Sequence, residues 1–283
     1  MRRERLFCLL LVGGGLALGT LADGAEPRRP PHVDGYFILA ADLHVHSFFG
    51  DGALAPWDLR AEARRRGLDV IAITNHTSPL AGLMSGPAND GLPLLLPGQE
   101  VTAPQFHLIA LGVTKTIDWR QPLPETIRNI HALGGAAVAA HPTREYWDAY
   151  GTDAIHALDG VEAVHPSVFT DPDAAEDFPA FYGHARRIKP SIGPIGSSDF
   201  HFHAPVGLCR TYVFAREINA NAVIEAIRAG RTVAVDDSGR LTGAPGLVRL
   251  AAHRPVGGLE PPSVAQRLAM VSLWLGLLGL VIL

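Results

Sequence analysis

Short apolar runs alternate along the chain with amphipathic segments, and most of the apolar runs end at a polar side chain. Six of these runs are rich in Val, Ile, Leu and Ala: ILAADLHVH, DVIAITNH, LPLLLPGQE, HLIALGV, AAVAAHP and IGPIGSSDFH. Buried strands that are separated by amphipathic helices are typical of a parallel sheet whose faces are covered by helices. The pattern therefore predicts an α/β domain built from βα units.

Three of the intervening segments have the start and stop signals of helices. Pro56 to Arg66 and Pro124 to Leu133 each begin with proline, bury one apolar face and are followed by glycine. Asn219 to Ala229 is also followed by glycine and leads into the strand-like run RTVAV. We expect a further strand at Val161 to Val164, then a mobile acidic loop containing DPDAAEDFP, and a helix near Ala180 to Ile188.

The polar residues that end the apolar runs are of the types that bind metal ions. Nine such side chains come from these segments: His44, His46, Asp51, His76, Glu100, His107, His141, Asp199 and His201. The carboxyl ends of the strands of a parallel barrel share one rim, where active sites collect. We therefore expect the nine side chains to meet at such a rim. Their number favours a closed barrel, because an open sheet would scatter them.

The spacing of these residues supports metal binding. His44 and His46 are two residues apart, and positions i and i+2 of a strand point to the same side. Asp199 and His201 repeat this spacing. The carboxylate of Glu100 has two oxygens and can bridge two ions. Mixed imidazole and carboxylate ligands suit Mn, Zn or Fe better than Ca or Mg, and nine ligands are more than one ion needs, so we expect two or three divalent transition-metal ions.

A cluster of divalent ions predicts a metal-dependent hydrolase, most naturally a phosphoesterase acting on a small phosphorylated molecule through a metal-bound hydroxide. His201 and His165 are candidates for protonating the leaving oxygen. Arg144, three residues after His141, is a candidate for pairing with a substrate phosphate, because a guanidinium matches phosphate geometry. The alternatives are a structural role for His165 and a solvated loop position for Arg144.

Taken together and in order, the motifs DLHVHSFFGDG, ITNH, PGQE, HLIALG, AAHP and GSSDFH resemble the PHP family, the polymerase and histidinol phosphatase domain. The resemblance covers Asp42 to Val235. It implies a distorted (β/α)7 barrel of mainly parallel strands with a di- or trinuclear metal site at the C-terminal rim. It also implies three ligand sets: His44, His46, Glu100 and Asp199; Glu100, His107 and His141; and Asp51, His76 and His201.

Two positions depart from the family pattern. Asn75 stands where the family usually has Asp, and because an amide adds no negative charge we expect weaker binding of the third ion. His165 stands where the family often has Asn or another small polar residue. An exported branch that resembles carbamate hydrolases is a plausible neighbour within the family. Hydrolysis of a carbamate, ester or amide on the same metals is therefore one alternative function, and a metal-binding module without turnover is another.

Apolar runs lie at both ends of the chain. Three arginines precede LFCLLLVGGGLALGTLA, and small residues follow it, which is typical of a secretory signal peptide over residues 1–25. An uncleaved anchor helix is the alternative. Residues 264–283 are predicted to form a C-terminal transmembrane anchor after a Pro- and Gly-rich linker at 246–263, with a buried or amphipathic helix as the alternative. The metallohydrolase domain is then expected at 34–245.

These terminal runs predict an exported protein, on the periplasmic or extracellular side, that is held to the membrane by its C-terminal helix. The formal net charge is −4 with neutral histidines. No basic stripe accompanies this charge, which argues against a nucleic-acid partner.

Overall fold

The computed structural model describes residues 3–24, 29–76, 78–84 and 91–254, together with positions 271, 274, 275, 278 and 279. The chain divides into two compact units, one formed by residues 30–255 and the other by the two chain ends. Helix α1 (Arg3–Gly24) belongs to the second unit. Among the described residues, no helix has both the length and the apolar character needed to cross a membrane. The predicted C-terminal anchor falls largely outside those residues, and the signal peptide stays a prediction.

The described part of the first unit contains eleven strands, seven further α-helices and two 3₁₀ helices, Arg144–Ala149 and Pro166–Phe169. The strands are β1 (His32–Val33), β2 (Tyr36–Val45), β3 (Val70–Ile73), β4 (Leu94–Ala103), β5 (Phe106–Leu111), β6 (Ala136–Ala139), β7 (Gly160–Val164), β8 (Gly193–Gly196), β9 (Arg210–Ala215), β10 (Thr232–Val235) and β11 (Leu241–Gly243). The helices are α2 (Pro56–Arg65), α3 (Leu80–Met84), α4 (Leu123–Ala132), α5 (Thr152–Ala157), α6 (Pro172–Ile188), α7 (Ala220–Arg228) and α8 (Pro245–Ala251).

The strands form one sheet in the order β11-β10-β9-β2-β3-β4-β5-β6-β7-β8, with β1 paired to β2. Strands β5 and β9 run antiparallel to both of their neighbours. The pairs β2–β3, β3–β4, β6–β7 and β7–β8 are parallel. As a result seven strands of the described sheet (β2, β3, β4, β6, β7, β8 and β10) point in one direction, and their carboxyl ends share one rim.

The sheet closes almost completely where β8 lies against β9 and β10. Gly196 N donates to Thr211 Oγ1 at 2.9 Å, and this hydroxyl donates to Gly196 O at 2.8 Å. Glycine is needed here because a Cβ on Gly193 would lie 2.2 Å from Thr232 Oγ1. The predicted distorted α/β barrel is confirmed, with a sheet that is mixed because four strands, β1, β5, β9 and β11, run in the opposite direction to the other seven.

The helices cover the barrel with the apolar faces that the sequence indicated. Ile127 and Ile130 of α4 are fully buried, as are Val223 and Ile227 of α7. Burying a side chain of this size contributes about 1.5–3 kcal/mol relative to leaving it exposed. The three helices predicted from proline, asparagine and glycine signals agree with α2, α4 and α7 to within one or two residues.

The prediction of a mobile acidic loop before residue 180 was wrong. The segment DPDAAEDFP contains the first half of α6, which runs from Pro172 to Ile188. Asp171 caps the helix by accepting a hydrogen bond from Asp173 N at 3.0 Å, and acidic side chains are favourable at a helix N-terminus. Phe178 and Phe181 are buried on one side of this amphipathic helix. Asp173 and Glu176 are exposed, whereas Asp177 is buried and bonds to Arg144.

The first unit extends beyond residue 245. Residues 246–251 of the predicted linker lie in α8, and the chain continues to Arg254. The Arg254 guanidinium donates to Ile38 O at 2.5 Å and pairs with Asp69 at 2.6 Å. These bonds tie the segment to the barrel at the amino ends of β2 and β3, on the side opposite the shared rim.

Candidate metal centre

Four nitrogen and oxygen atoms converge at the carboxyl end of β2. They belong to the first ligand group, which contains His44, His46, Glu100 and Asp199. The Nε2 atoms of His44 and His46 are 3.1 Å apart, as expected for two imidazoles on one side of a strand. Asp199 Oδ1 lies 3.2 and 3.1 Å from these nitrogens, and Glu100 Oε2 lies 3.3 and 3.4 Å from them.

These separations fit a metal ion. A tetrahedral site with bonds of about 2.0–2.1 Å has ligand atoms about 3.3–3.4 Å apart. The five separations in the first ligand group range from 3.1 to 3.4 Å. Asp199 Oδ1 is also buried without a hydrogen-bond partner among the described residues. A divalent ion would satisfy this oxygen and the facing nitrogen lone pairs together.

Glu100 directs its other oxygen to the second ligand group, which contains Glu100, His107 and His141. Glu100 Oε1 lies 3.0 Å from His107 Nδ1 and 3.0 Å from His141 Nε2. His107 reaches the rim from the start of β5, because this strand is antiparallel to its neighbours and its amino end lies beside their carboxyl ends. The carboxylate of Glu100 therefore stands between two groups, in the position of a bridging ligand.

The third ligand group contains Asp51, His76 and His201 and also includes His46. Asp51 Oδ2 lies 3.1 Å from the Nε2 atoms of both His76 and His201. The loop that carries Asp51 passes so close to β2 that a Cβ on Gly52 would lie 2.0 Å from His46 O. Only glycine fits there. The structure thus brings all nine predicted ligands to one rim, while metal binding by them stays a prediction.

Known proteins share parts of this sequence. Residues 188–232 match the model of the PHP-associated family. An uncharacterised protein of Methanocaldococcus jannaschii is 28% identical over 138 residues, which are 44% of this chain and 80% of that protein. An error-prone DNA polymerase of Nocardia farcinica is 48% identical over 54 residues, which are 18% of this chain and 4% of the polymerase.

Solved structures share the fold. A two-domain protein of Bacteroides vulgatus that contains a predicted PHP-like metal-dependent phosphoesterase superposes with a TM-score of 0.56 and 22% identity, over 81% of this chain and 73% of that chain. The chain therefore has the fold of this PHP-like protein. PsfC of Pseudomonas syringae superposes with a TM-score of 0.50 and 18% identity, over 76% of this chain and 95% of that chain. The narrower resemblance to an exported carbamate-hydrolase branch stays a prediction.

Glu162 is a buried carboxylate of the barrel that the motif analysis missed. Its Oε1 atom accepts a hydrogen bond from His44 Nδ1 at 3.0 Å and another from the Ser197 hydroxyl, and its Oε2 atom accepts from His141 N at 2.6 Å. Burial alone would raise the pKa of Glu162, but His44 and the neighbouring imidazoles lower it to about 2. The position of this glutamate inside the apolar run VEAVH indicates a buried carboxylate, and this was the signal in the sequence for a residue that supports the ligands.

Two other buried polar side chains support the rim without joining a ligand group. Asp42 accepts hydrogen bonds from Ser198 N at 3.0 Å, from Ser198 Oγ at 2.6 Å and from Gly207 N at 2.7 Å. Burial raises the pKa of Asp42 to about 6, although these bonds oppose the shift. Asn75 accepts from Ser47 N at 2.8 Å and donates to Ser47 Oγ at 2.9 Å, so the amide holds the loop that precedes Asp51.

His165 lies beside the first ligand group and is 5% exposed. Its Nδ1 atom accepts a hydrogen bond from Ser167 N at 3.1 Å, so the neutral ring carries its proton on Nε2. That atom lies 3.3 Å from Asp199 Oδ2. The structure therefore places His165 beside the first ligand group with its Nε2 atom facing a candidate ligand, while its role in protonating a leaving group stays a prediction.

Arg144 is engaged by α6 rather than left free for a substrate. Its Nε atom donates to Asp177 Oδ1 at 3.0 Å, and its backbone N–H donates to Asp177 Oδ2 at 2.7 Å. The guanidinium also lies 4.1 Å from the centre of the Trp147 ring. The predicted pairing of Arg144 with a substrate phosphate stays a prediction, because its guanidinium bonds to a carboxylate of the protein but its side chain is 59% exposed.

The electrostatics of the rim favour a positive charge at its centre. Burial opposes a proton on His44, but the carboxylates of Asp199, Glu162 and Glu100 raise its pKa well above the ordinary value. The pKa of Glu100 is held well below its ordinary value by His44 and the other imidazoles, although burial opposes this. A divalent ion would supply the same positive charge without a proton.

Two candidate ligands have backbone conformations that residues other than glycine rarely adopt. The φ angle is +24° at His141 and +45° at Asp199. Non-glycine residues in this region cost on the order of 1–3 kcal/mol and occur mainly where the surroundings hold them for function. Both residues follow the ends of short strands, so the strain aims their side chains at the rim.

Proposed function

We propose that this protein belongs to the PHP family and is a metal-dependent hydrolase of phosphate esters that works with two or three ions of Mn, Zn or Fe. The observation that carries the proposal is the Glu100 carboxylate, whose two oxygens lie in two adjacent ligand groups. Two groups that share a carboxylate would hold two ions side by side. Bound divalent ions lower the pKa of water and neutralise charge on a phosphoryl oxygen.

The candidate ligands at the rim differ in how far their side chains are exposed to solvent. His44 and His46 are fully buried, whereas the side chains of Asp51 and His76 are 47% and 34% exposed. A substrate therefore approaches over the third ligand group. His165 lies beside the first ligand group but belongs to none of the three groups, so it is the better candidate for protonating the leaving oxygen.

Support for phosphate chemistry comes from the PHP-type fold and from the Bacteroides protein, whose PHP-like part is described as a predicted metal-dependent phosphoesterase. The engagement of Arg144 by Asp177 favours a second candidate. Without that guanidinium, the rim could equally polarise the carbonyl group of a carbamate, ester or amide. A protein that binds metal but catalyses nothing is the third possibility that an assay must separate.

A substrate panel on the full-length protein tests the proposal. After reconstitution with Mn, Zn or Fe, the protein is assayed with 4-nitrophenyl phosphate, bis(4-nitrophenyl) phosphate, 4-nitrophenyl acetate and an aryl carbamate. We expect a phosphate ester to be cleaved fastest, with loss of activity in Glu100→Gln and full activity in Glu125→Gln, an exposed control on α4. Cleavage of the acetate or carbamate alone refutes the phosphoesterase. Metal binding without any cleavage refutes the enzyme.

We also propose that the protein is exported and held to the membrane by its C-terminal run, which rests on the apolar residues at both ends of the sequence. Fractionation of cells with an accessible tag placed after residue 30 tests it. A protein found in the soluble cytoplasmic fraction contradicts this location.

A further inference from the structure

Glu162 connects three strands of the barrel beneath the candidate metal centre. Its side chain on β7 is fully buried and accepts hydrogen bonds from His44 on β2, from Ser197 after β8 and from the backbone of His141 after β6. A buried carboxylate costs several kcal/mol unless it is paired. The bonds that offset this cost go to two candidate ligands, His44 and His141, and to Ser197, two residues before Asp199.

We infer that Glu162 is a positioning residue that sets the tautomer of His44 and the backbone of His141, an inference that rests on the proposed metal site. An ionised carboxylate has acceptors only. Nδ1 of His44, 3.0 Å from Glu162 Oε1, must therefore carry a proton. Nε2 of the same ring then keeps its lone pair, which points into the first ligand group. Carboxylate–histidine pairs of this kind orient ligands in many metal sites.

The second oxygen of Glu162 acts on the second ligand group. His141 has a φ angle of +24°, and its N–H donates to Glu162 Oε2 at 2.6 Å. This hydrogen bond offsets part of the cost of the strained backbone at His141. It also helps to hold the His141 ring, whose Nε2 atom lies 3.0 Å from Glu100 Oε1. One side chain thus prepares a ligand in each of the two groups that Glu100 joins.

Glu162→Gln is the sharpest perturbation because it keeps the volume of the side chain. The amide nitrogen replaces one acceptor, so either His44 Nδ1–H or His141 N–H then faces a donor. If the two donors meet at His44, the clash is removed only when the ring proton moves from Nδ1 to Nε2. Nε2 then has no lone pair to offer to a metal ion in the first ligand group. We expect the zinc affinity of the full-length protein to fall by about 10–100-fold. We also expect the nitrogen-15 spectrum of the His44 ring to change from the Nδ1–H to the Nε2–H form.

Two controls accompany this variant. Ser197→Ala removes a donor and leaves the acceptors of Glu162, so the tautomer of His44 should not change. Glu125→Gln makes the same chemical change on the exposed face of α4 and should keep the wild-type zinc affinity.

The wild type supplies a test that does not depend on any variant folding. Zinc-loaded wild type with His44 protonated on Nε2 overturns the inference, as does Glu162→Gln with unchanged zinc affinity. A wild type that binds zinc tightly, shows the expected tautomer and cleaves no substrate of the panel overturns the proposed enzyme instead. The two failures are therefore distinguishable.

Discussion

We expect that neutralising Glu100 weakens the binding of two metal ions at once, because its two oxygens lie in different ligand groups. Oε1 is 3.0 Å from His107 Nδ1 and His141 Nε2, and Oε2 is 3.3 Å from His44 Nε2. Glu100→Gln keeps the shape of the side chain. Whichever way the amide turns, one group receives an NH₂ that cannot act as a ligand, and the other receives a neutral oxygen in place of a carboxylate.

The size of the effect follows from linkage. An ion present at 100 times its dissociation constant stabilises the folded state by about 2.7 kcal/mol, and two such ions by about 5.4 kcal/mol. For a domain of this size, each kcal/mol shifts Tm by about 2–4 °C, so the pair raises Tm by about 10–20 °C. His107→Ala touches only the Oε1 side of the carboxylate. We therefore expect His107→Ala to lose about half of the increase in Tm that the two ions provide.

Thermal melting of metal-free and zinc-saturated protein at fixed pH measures these gains. We expect the full shift in the wild type and in Glu125→Gln, about half of it in His107→Ala, and a few degrees at most in Glu100→Gln. Equal residual shifts in Glu100→Gln and His107→Ala would refute the shared carboxylate. A full shift in Glu100→Gln would refute its role as a ligand altogether.

Three further predictions concern single positions. Gly52→Ala forces the Asp51 loop off β2 and should reduce bound metal, measured by elemental analysis, whereas Gly151→Ala, where an added Cβ meets nothing within 4 Å, should not. Asp171→Ala removes the cap of α6 and should cost about 1 kcal/mol in urea unfolding, and an unchanged midpoint would contradict the cap. Burial raises the pKa of the Cys209 thiol well above its ordinary value. In a Cys8→Ser background at pH 8, Ellman's reagent should therefore react only after denaturation, and the stability from burying the neutral thiol should decline as pH rises above about 8.5. Fast labelling of native protein would contradict this burial.

Much of the architecture follows from local sequence patterns. The His44-x-His46 spacing places two imidazoles on one side of β2 because side chains alternate along any strand. Proline, asparagine and glycine mark the ends of α2, α4 and α7 because their backbone preferences act within one turn. Gly52 stands where the loop passes so close to β2 that a Cβ would lie 2.0 Å from His46 O, so a short-range steric requirement explains this residue.

The acidic segment before residue 180 shows where local reasoning failed. Its charges suggested a solvated loop, yet Phe178 and Phe181 bury the opposite face of α6. The helix depends on packing against the barrel, and tertiary packing overrides weak local preferences.

Local patterns in the sequence were sufficient to identify the side chains that could bind metal. They also predicted that most of these side chains lie at the ends of buried strands. Only the tertiary structure decided that β5 is reversed, so that His107 enters the rim from the start of its strand. It also paired Arg144 with Asp177, 33 residues away, and His44 with Glu162, 118 residues away. Periodicity reports the face on which a side chain lies, but the partner it meets is set by strand order and direction, which no local pattern contains.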